Sequence, residues 1–183
     1  DLRQAKTHIL AFALGGLKSG PRQLLQRVAL LPEDADYDTI AAISPFVPAP
    51  VEKPRHIEES IRWKYLWDDA HKARVGPQHE ARYQAAMERF NAYEAALARA
   101  PAALDEALEE LEARGLLSWD RDSNTYGMHP VVRGHAADDV DGEERDLLYR
   151  RARDHFGSLP EDDLANATTL EHLSRSLTVM HCL

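Results

Sequence analysis

The chain has 183 residues, of which 44% are hydrophobic and 29% charged, and its formal net charge is −9. This composition is typical of a globular protein with one domain or two small ones, and it excludes a chain that is disordered throughout. No apolar run approaches the roughly 20 residues that a membrane-spanning helix needs, and the sequence begins without the pattern of a secretory signal. The negative charge disfavours non-specific binding of nucleic acids or anionic membranes. The single cysteine, Cys182, predicts neither an internal disulfide nor a structural zinc site, which fits a cytoplasmic protein.

Residues 1–47 are predicted to form three helices. The first, Gln4 to Leu14, is followed by a pair of glycines, which commonly end helices. The second begins near Ser19-Gly20-Pro21, because proline is favoured in the first helical turn. The third is predicted over Tyr37 to Ile43, with either Asp36 or Asp38 as its N-cap. These helices suit the first part of a winged helix.

Residues 48–100 are predicted to be an insertion. Prolines at positions 45, 48 and 50 indicate an extended connector. Two stretches with helical periodicity follow, His56 to Arg74 and Gln78 to Arg99, and Gly76-Pro77 separates them. They predict an antiparallel helical hairpin whose aromatic side chains pack between the two helices. If both Trp63 and Trp67 were exposed instead, they would mark a surface for a protein partner.

Residues 101–140 are predicted to be the second part of the winged helix. A helix from Pro101 to Arg114 is followed by Gly115, and two short apolar strands flank a polar turn at Asp120 to Asn124. Pro130 then opens another helix, to about residue 138. The predicted fold class is therefore mainly α: a winged helix with one short β-hairpin, interrupted by the inserted helical hairpin and followed by C-terminal helices.

Residues 141–183 are predicted to begin a helical, tetratricopeptide-like region. Helical periodicity is present from Glu143 to Phe156 and from Thr168 to Leu183. The second pattern reaches the last residue without a stop signal, and the chain begins with Asp1 rather than Met. We therefore expect the sequence to be part of a longer protein.

The sequence predicts no catalytic residue and no metal site. Gly15 to Gly20 has the composition of a phosphate-binding loop, but the order of its residues is wrong and no strand precedes it. His79-Glu80 begins like a zinc-protease helix, but Tyr83 stands where the second histidine ligand would be. No nucleophile, acid and base fall in a recognisable pattern, so we expect the chain itself not to be an enzyme.

One histidine, His129, is predicted to take part in binding. It lies in Met128-His129-Pro130, between a predicted strand and a helix whose first free N–H groups and dipole favour an anion. The surrounding segment, Ala107 to Ala137, resembles the winged-helix domain of STAND-class (NB-ARC-like) signalling NTPases. The resemblance implies that His129 contacts the β-phosphate of ADP, although Pro130 replaces the aspartate of the family's Met-His-Asp motif. Without the rest of the nucleotide pocket, we expect His129 to bond a neighbouring carbonyl instead.

The resemblance implies a non-catalytic regulatory module. It would couple the nucleotide state of an NTPase core to downstream sensor repeats, and its partners would be that core and those repeats within one protein. ADP or ATP would be bound by the parent protein, and this chain alone would hold no cofactor. One alternative is a winged-helix transcription regulator. It is disfavoured because the helix in the recognition position carries one arginine, Arg114, against five acidic residues: Asp105, Glu106, Glu109, Glu110 and Glu112. The other alternative is a helical scaffold for protein interactions, which a buried His129 would favour.

Overall fold

The structure, a computed structural model, describes residues 14–56, 63–64, 67–160, 162 and 174–181. Across these residues the chain is mainly helical, with one two-stranded antiparallel sheet. The predicted class, mainly α with one short β-hairpin, is confirmed. The elements in chain order are α1 Ser19–Ala29, α2 Tyr37–Ile43, α3 Asp69–Ala113, β1 Ser118–Asp120, β2 Thr125–Gly127, α4 Pro130–Asp138, α5 Gly142–Ser158 and α6 Ser174–His181.

The chain divides into two compact units. The first unit contains Asp1–Phe46 and Pro101–Leu183, and the second contains Val47–Ala100. The division falls within α3, and the bounds of the second unit lie within one residue of those predicted for the insertion. The first unit contains the hydrophobic core, to which α1, α2, the end of α3, α4 and α5 all contribute. Its largest fully buried side chains are Leu24, Leu25, Val28, Ile40, Ile43, Leu111 and Leu148.

The N-terminal helices largely follow the sequence pattern. Most of the predicted first helix lies outside the described residues, but its last residue, Leu14, is helical and buried. The predicted bounds of α2 are confirmed. Of its two predicted caps, Asp36 is the one that acts: its carboxylate accepts a hydrogen bond of 2.8 Å from the main-chain N–H of Thr39.

The predicted turn at Gly76-Pro77 and the predicted helix start at Pro101 are wrong, because α3 continues through both as one helix of 45 residues. His56 precedes this helix in non-helical backbone, and residues 57–62 lie outside the described part of the chain. Arg74 and Gln78, predicted to belong to two antiparallel helices, are in the same helix. A proline costs a helix about 3 kcal/mol. The remaining main-chain hydrogen bonds of so long a helix offset that cost.

α3 ends as the sequence predicts, in a glycine cap. Gly115 has a φ of +66°, in the left-handed region that favours glycine. Its N–H donates to the oxygen of Glu112 over 2.8 Å, and the N–H of Leu116 donates to the oxygen of Leu111 over 2.9 Å. This pair of bonds is a Schellman motif, which satisfies carbonyls that the helix end leaves free. It also turns Leu116 and Leu117 into the core.

The hairpin that follows is predicted correctly, although its strands are shorter. β1 and β2 pair in antiparallel register, with Trp119 opposite Tyr126, and Asn124 in the turn has a φ of 55°. A third segment joins the sheet: Ala35 exchanges hydrogen bonds of 3.2 and 2.8 Å with Tyr126. Because Ala35 lies between α1 and α2, this bridge ties the two sequence-distant parts of the first unit together. The order helix, bridge, helix, helix, hairpin, helix is the one expected of a winged helix.

The C-terminal helices pack on this framework. α5 begins at Gly142, where Asp141 accepts a hydrogen bond of 2.8 Å from the N–H of Glu144, and it packs against both α2 and α6. α6 is part of the predicted Thr168 to Leu183 helix, whose other residues lie outside the described part of the chain. In the residues described, none of the helices combines the length and apolarity that crossing a membrane requires.

Candidate functional site at the start of α4

His129 is the N-cap residue of α4. Its backbone is extended, with φ −59° and ψ 134°, and Pro130 occupies the first helical turn. The Nδ1 atom of the imidazole accepts a hydrogen bond of 3.2 Å from the N–H of Val131. The expectation that His129 bonds a carbonyl is therefore wrong. The first N–H groups of a helix lack partners within the helix, so the ring acts as an acceptor for one of them.

This cap determines which ring nitrogen of His129 carries the proton. Because Nδ1 accepts from Val131, the neutral imidazole holds its proton on Nε2, which is then a donor. The residue is exposed, and no acceptor for Nε2 is found in the described part of the chain. The beginning of α4 thus presents an N–H donor to solvent from an imidazole whose other nitrogen is fixed.

The neighbours of His129 hold the cap in place. Met128 and Val132 on either side are buried, while Val131 is 45% exposed. Arg133, in the next turn, donates to the main-chain oxygen of Leu31 and forms an ion pair of 3.2 Å with Asp34. Arg133 is therefore bound within the fold, and His129 is the polar side chain that the first turn of α4 offers to a ligand.

The end of α3, in the recognition position of a winged helix, presents an acidic surface. Its exposed acidic residues are Asp105, Glu106, Glu109 and Glu112. Arg114 is held by an ion pair of 2.8 Å with Glu110 and by a hydrogen bond of 2.9 Å to the oxygen of Gly16. The basic residue at this end of the helix is therefore already engaged, and the surface would repel a phosphate backbone.

Two tyrosines next to this surface respond to its charge. The hydroxyl of Tyr37 donates to Asp105 over 2.8 Å, and this bond, followed by burial and the Asp105 charge, raises the pKa of Tyr37 above 10.0. The pKa of Tyr126 is raised by burial first, and then by the charges of Glu112 and Asp105. Both phenols are therefore donors, not anions, at neutral pH.

Six arginines in the described part of the first unit share a role that no sequence pattern indicated. Each donates to a main-chain oxygen in the last turn of another helix or just beyond it, where carbonyls lack partners within the helix. The pairs are Arg27 with Ile43, Arg114 with Gly16, Arg133 with Leu31, Arg145 with Ala137, Arg151 with Ser44, and Arg175 with Phe156. Arginine spacing along the chain does not reveal such bonds, because the acceptors are main-chain atoms.

A cleft of about 230 Å³ lies between the α1–α2 connection, α5 and α6. Three of its four charged side chains bond within the fold: Asp34 with Arg133, Asp36 with the N–H of Thr39, and Arg175 with the oxygen of Phe156. The fourth, Glu33, is exposed. The three bonded groups hold the fold together and do not form an acid–base pair.

The other patterns noted in the sequence do not form sites. Glu80 pairs with His56 over 2.7 Å, and the ring of His79 lies 6.1 Å from that of Trp67. Within the described ranges, no group of three or more His, Cys, Asp or Glu side chains is arranged to hold a metal ion. Comparison of the chain with protein-family models found no match, and comparisons with curated proteins and with solved structures found none either.

Proposed function

We propose that the chain is a non-catalytic regulatory module of a cytoplasmic STAND-type NTPase. It would couple the nucleotide state of the NTPase core to downstream helical repeats. The observation that carries the proposal is the position of His129, which caps α4 through Nδ1 and leaves Nε2 exposed as a donor. A phosphate oxygen of ADP, held by the core, would accept a hydrogen bond from that atom.

In this proposal the cap and the nucleotide contact use different ring nitrogens. Nδ1 stays on the N–H of Val131 when Nε2 donates to phosphate, so nucleotide binding breaks no bond within the first unit. ADP would then favour the state in which the module is docked on the core. Ligand binding to the repeats would favour the undocked state, which makes the module one element of a two-state switch.

The decisive experiment measures ADP affinity of the parent protein, comprising core, module and repeats, with His129→Ser. Serine keeps an N-cap acceptor but is too short to reach the phosphate. The loss of one hydrogen bond to a charged group predicts an ADP Kd raised by about 10- to 100-fold. His135→Ser is the matched control, because His135 is an exposed histidine of the same helix. An ADP Kd that stays at the wild-type value in His129→Ser would overturn the proposal.

A second experiment uses this chain alone. With one donor supplied by the module and the rest of the pocket by the core, calorimetry is expected to detect no ADP binding to the isolated chain. Tight binding would mean that the whole pocket lies within these residues, which contradicts the assigned role.

The acidic end of α3 also disfavours the alternative function, DNA binding. Its exposed carboxylates, such as Glu106 and Glu109, would face a phosphate backbone without basic neighbours to compensate. An electrophoretic mobility assay on duplex DNA at low salt is expected to show no retardation. Retardation that weakens as salt is added would favour a transcription regulator instead.

A further inference from the structure

The part of α3 within the second unit carries a regular row of apolar side chains. Counting from Tyr83, they follow alternating intervals of three and four residues, which is the a and d spacing of a heptad repeat. We call the row the α3 seam; its members are Tyr83, Ala86, Phe90, Tyr93 and Leu97. None of the five is buried, and Leu97 is 42% exposed.

The spacing of the α3 seam is that of a helix that pairs with another helix. In the sequence the same spacing continues through Ala100, Leu104, Ala107 and Leu111, but these side chains are buried, and the last three belong to the core of the first unit. The α3 seam itself, from Tyr83 to Leu97, spans about two heptads. In the seam itself, Tyr83 contacts His56 edge-on, and Phe90 contacts Tyr93. These contacts leave the row open to solvent along part of its length.

The charges beside the seam are sorted by sign. With Tyr83 at position a, the e positions hold Glu80, Met87 and Glu94, and the g positions hold Arg82, Arg89 and Ala96. The four charged side chains, Glu80, Arg82, Arg89 and Glu94, are exposed. In coiled coils, the e and g residues determine which helices pair and in which direction. The charged residues at e are therefore all acidic and those at g all basic, with Met87 and Ala96 between or beside them.

We propose that the α3 seam pairs with the same seam of a second copy of the chain, as a parallel coiled coil. In a parallel pair, each g residue faces the e residue of the next heptad on the other helix, so Arg89 of each copy faces Glu94 of the other. In an antiparallel pair, e would face e and g would face g, which brings like charges together. The Arg89–Glu94 contact, formed twice in a parallel pair, thus selects both the partner, an identical helix, and its direction.

The test reverses one charge at a time in the whole chain and measures self-association by sedimentation velocity. The unmodified chain is expected to dimerise below about 100 μM. Arg89→Glu and Glu94→Arg, each alone, place like charges opposite each other twice per dimer and should raise the dimer Kd about tenfold. Mixed in equal amounts, the two variants should form a heterodimer, because each then faces the opposite charge.

The matched control is Arg99→Glu. Arg99 and Arg89 both donate to the main-chain oxygen four residues earlier, over 2.9 and 3.3 Å, but Arg99 occupies position c, away from the seam. It should leave the dimer Kd unchanged. The proposal is overturned by a chain that stays monomeric at 100 μM, by equal effects of Arg99→Glu and Arg89→Glu, or by tighter association of Arg89→Glu. The last result would indicate antiparallel pairing.

Discussion

Arg27 of α1 donates a hydrogen bond of 2.9 Å to the main-chain oxygen of Ile43, the last residue of α2. The same guanidinium contacts Glu144 of α5 through both Nε and a terminal nitrogen, each at 3.2 Å. Arg27 is only 9% exposed. Three helices of the first unit therefore meet at one buried side chain, and much of their relative placement depends on it.

Replacing Arg27 should destabilise the fold strongly. Arg27→Ala removes the donor to Ile43 and leaves the Glu144 carboxylate, which is 26% exposed, without its cation. We expect a loss of about 2–4 kcal/mol in the free energy of unfolding, measured by urea denaturation. Arg22→Ala is the control: it breaks an ion pair between α1 and Asp139 whose side chains are 49% and 45% exposed, so it should cost less than about 1 kcal/mol. If the two variants lost similar amounts of unfolding free energy, burial would not be what makes the Arg27 contacts stronger than the Arg22 ion pair.

Gly115 should tolerate substitution poorly although there is room for a side chain. A Cβ there would meet nothing within 4 Å, so the cost of Gly115→Ala comes from the φ of +66° alone. We expect a loss of about 1–2 kcal/mol, and a smaller one for Gly115→Asn, since asparagine tolerates this region better.

Gly134→Ala provides the comparison for Gly115. Gly134 also has open space around it but lies inside α4, so alanine should raise the free energy of unfolding by about 0.5–1 kcal/mol. Thermal or urea unfolding of the three variants measures both effects. A stabilising Gly115→Ala would mean that the Schellman motif is not formed in solution.

The contact between Tyr37 and Asp105 should make stability depend on alkaline pH. The pKa of the Tyr37 phenol is raised above 10.0 in the folded chain, first by its bond to Asp105 and then by burial and the charge of that carboxylate. A raised folded pKa means that its contribution is fully present below about pH 10 and is lost as pH rises through the folded value. Tyr37→Phe should therefore flatten the fall in unfolding free energy above pH 10, measured by urea titrations at fixed pH. Tyr126, whose pKa is also raised, keeps part of the slope. An unchanged slope would contradict this account.

The cap at His129 should be replaceable without loss of stability. His129→Ser and His129→Asn keep an acceptor for the N–H of Val131 and should unfold within about 0.5 kcal/mol of the unmodified chain. His129→Ala removes the acceptor and should cost about 1 kcal/mol. Chemical denaturation separates these cases. If His129→Ser lost as much stability as His129→Ala, the α4 cap would be damaged in both variants. Weaker ADP binding by His129→Ser would then no longer report on the Nε2 donor alone.

The short elements of the first unit could be predicted because their signals are local. The N-cap at Asp36, the glycine after α3, the proline at the start of α4 and the polar turn between β1 and β2 each act within a few residues. Such signals are complete in the sequence itself. The same local rules failed at Gly76, Pro77 and Pro101, where α3 continues. There the length of the helix outweighs the local cost of a proline, and length is not a local property.

The candidate site was predicted in position but not in chemistry. The sequence placed His129 before α4, but the ring accepts from an N–H of that helix and does not bond a carbonyl. The pairing of Ala35 with Tyr126 was missed altogether, because one residue between two helices carries no strand pattern. The aromatic residues of α3 were expected to pack inside a hairpin. Tyr83, Phe90 and Tyr93 lie instead on one long helix, where none of them is buried. The prediction failed because it depended on a turn at Gly76-Pro77, where the helix in fact continues.

The arginine bonds to helix ends tolerate amino-acid substitution at one of the two residues that they join. When Arg27 or Arg175 donates to a main-chain oxygen, the identity of the accepting residue is almost irrelevant, since every amino acid supplies the same carbonyl. Substitutions at positions such as Ile43 or Phe156 leave the acceptor in place, whereas substitution of the arginine removes the bond. Each contact therefore constrains one sequence position and not two. Surveys of positions that mutate together would detect a side-chain pair such as Arg27–Glu144 but would overlook these main-chain links.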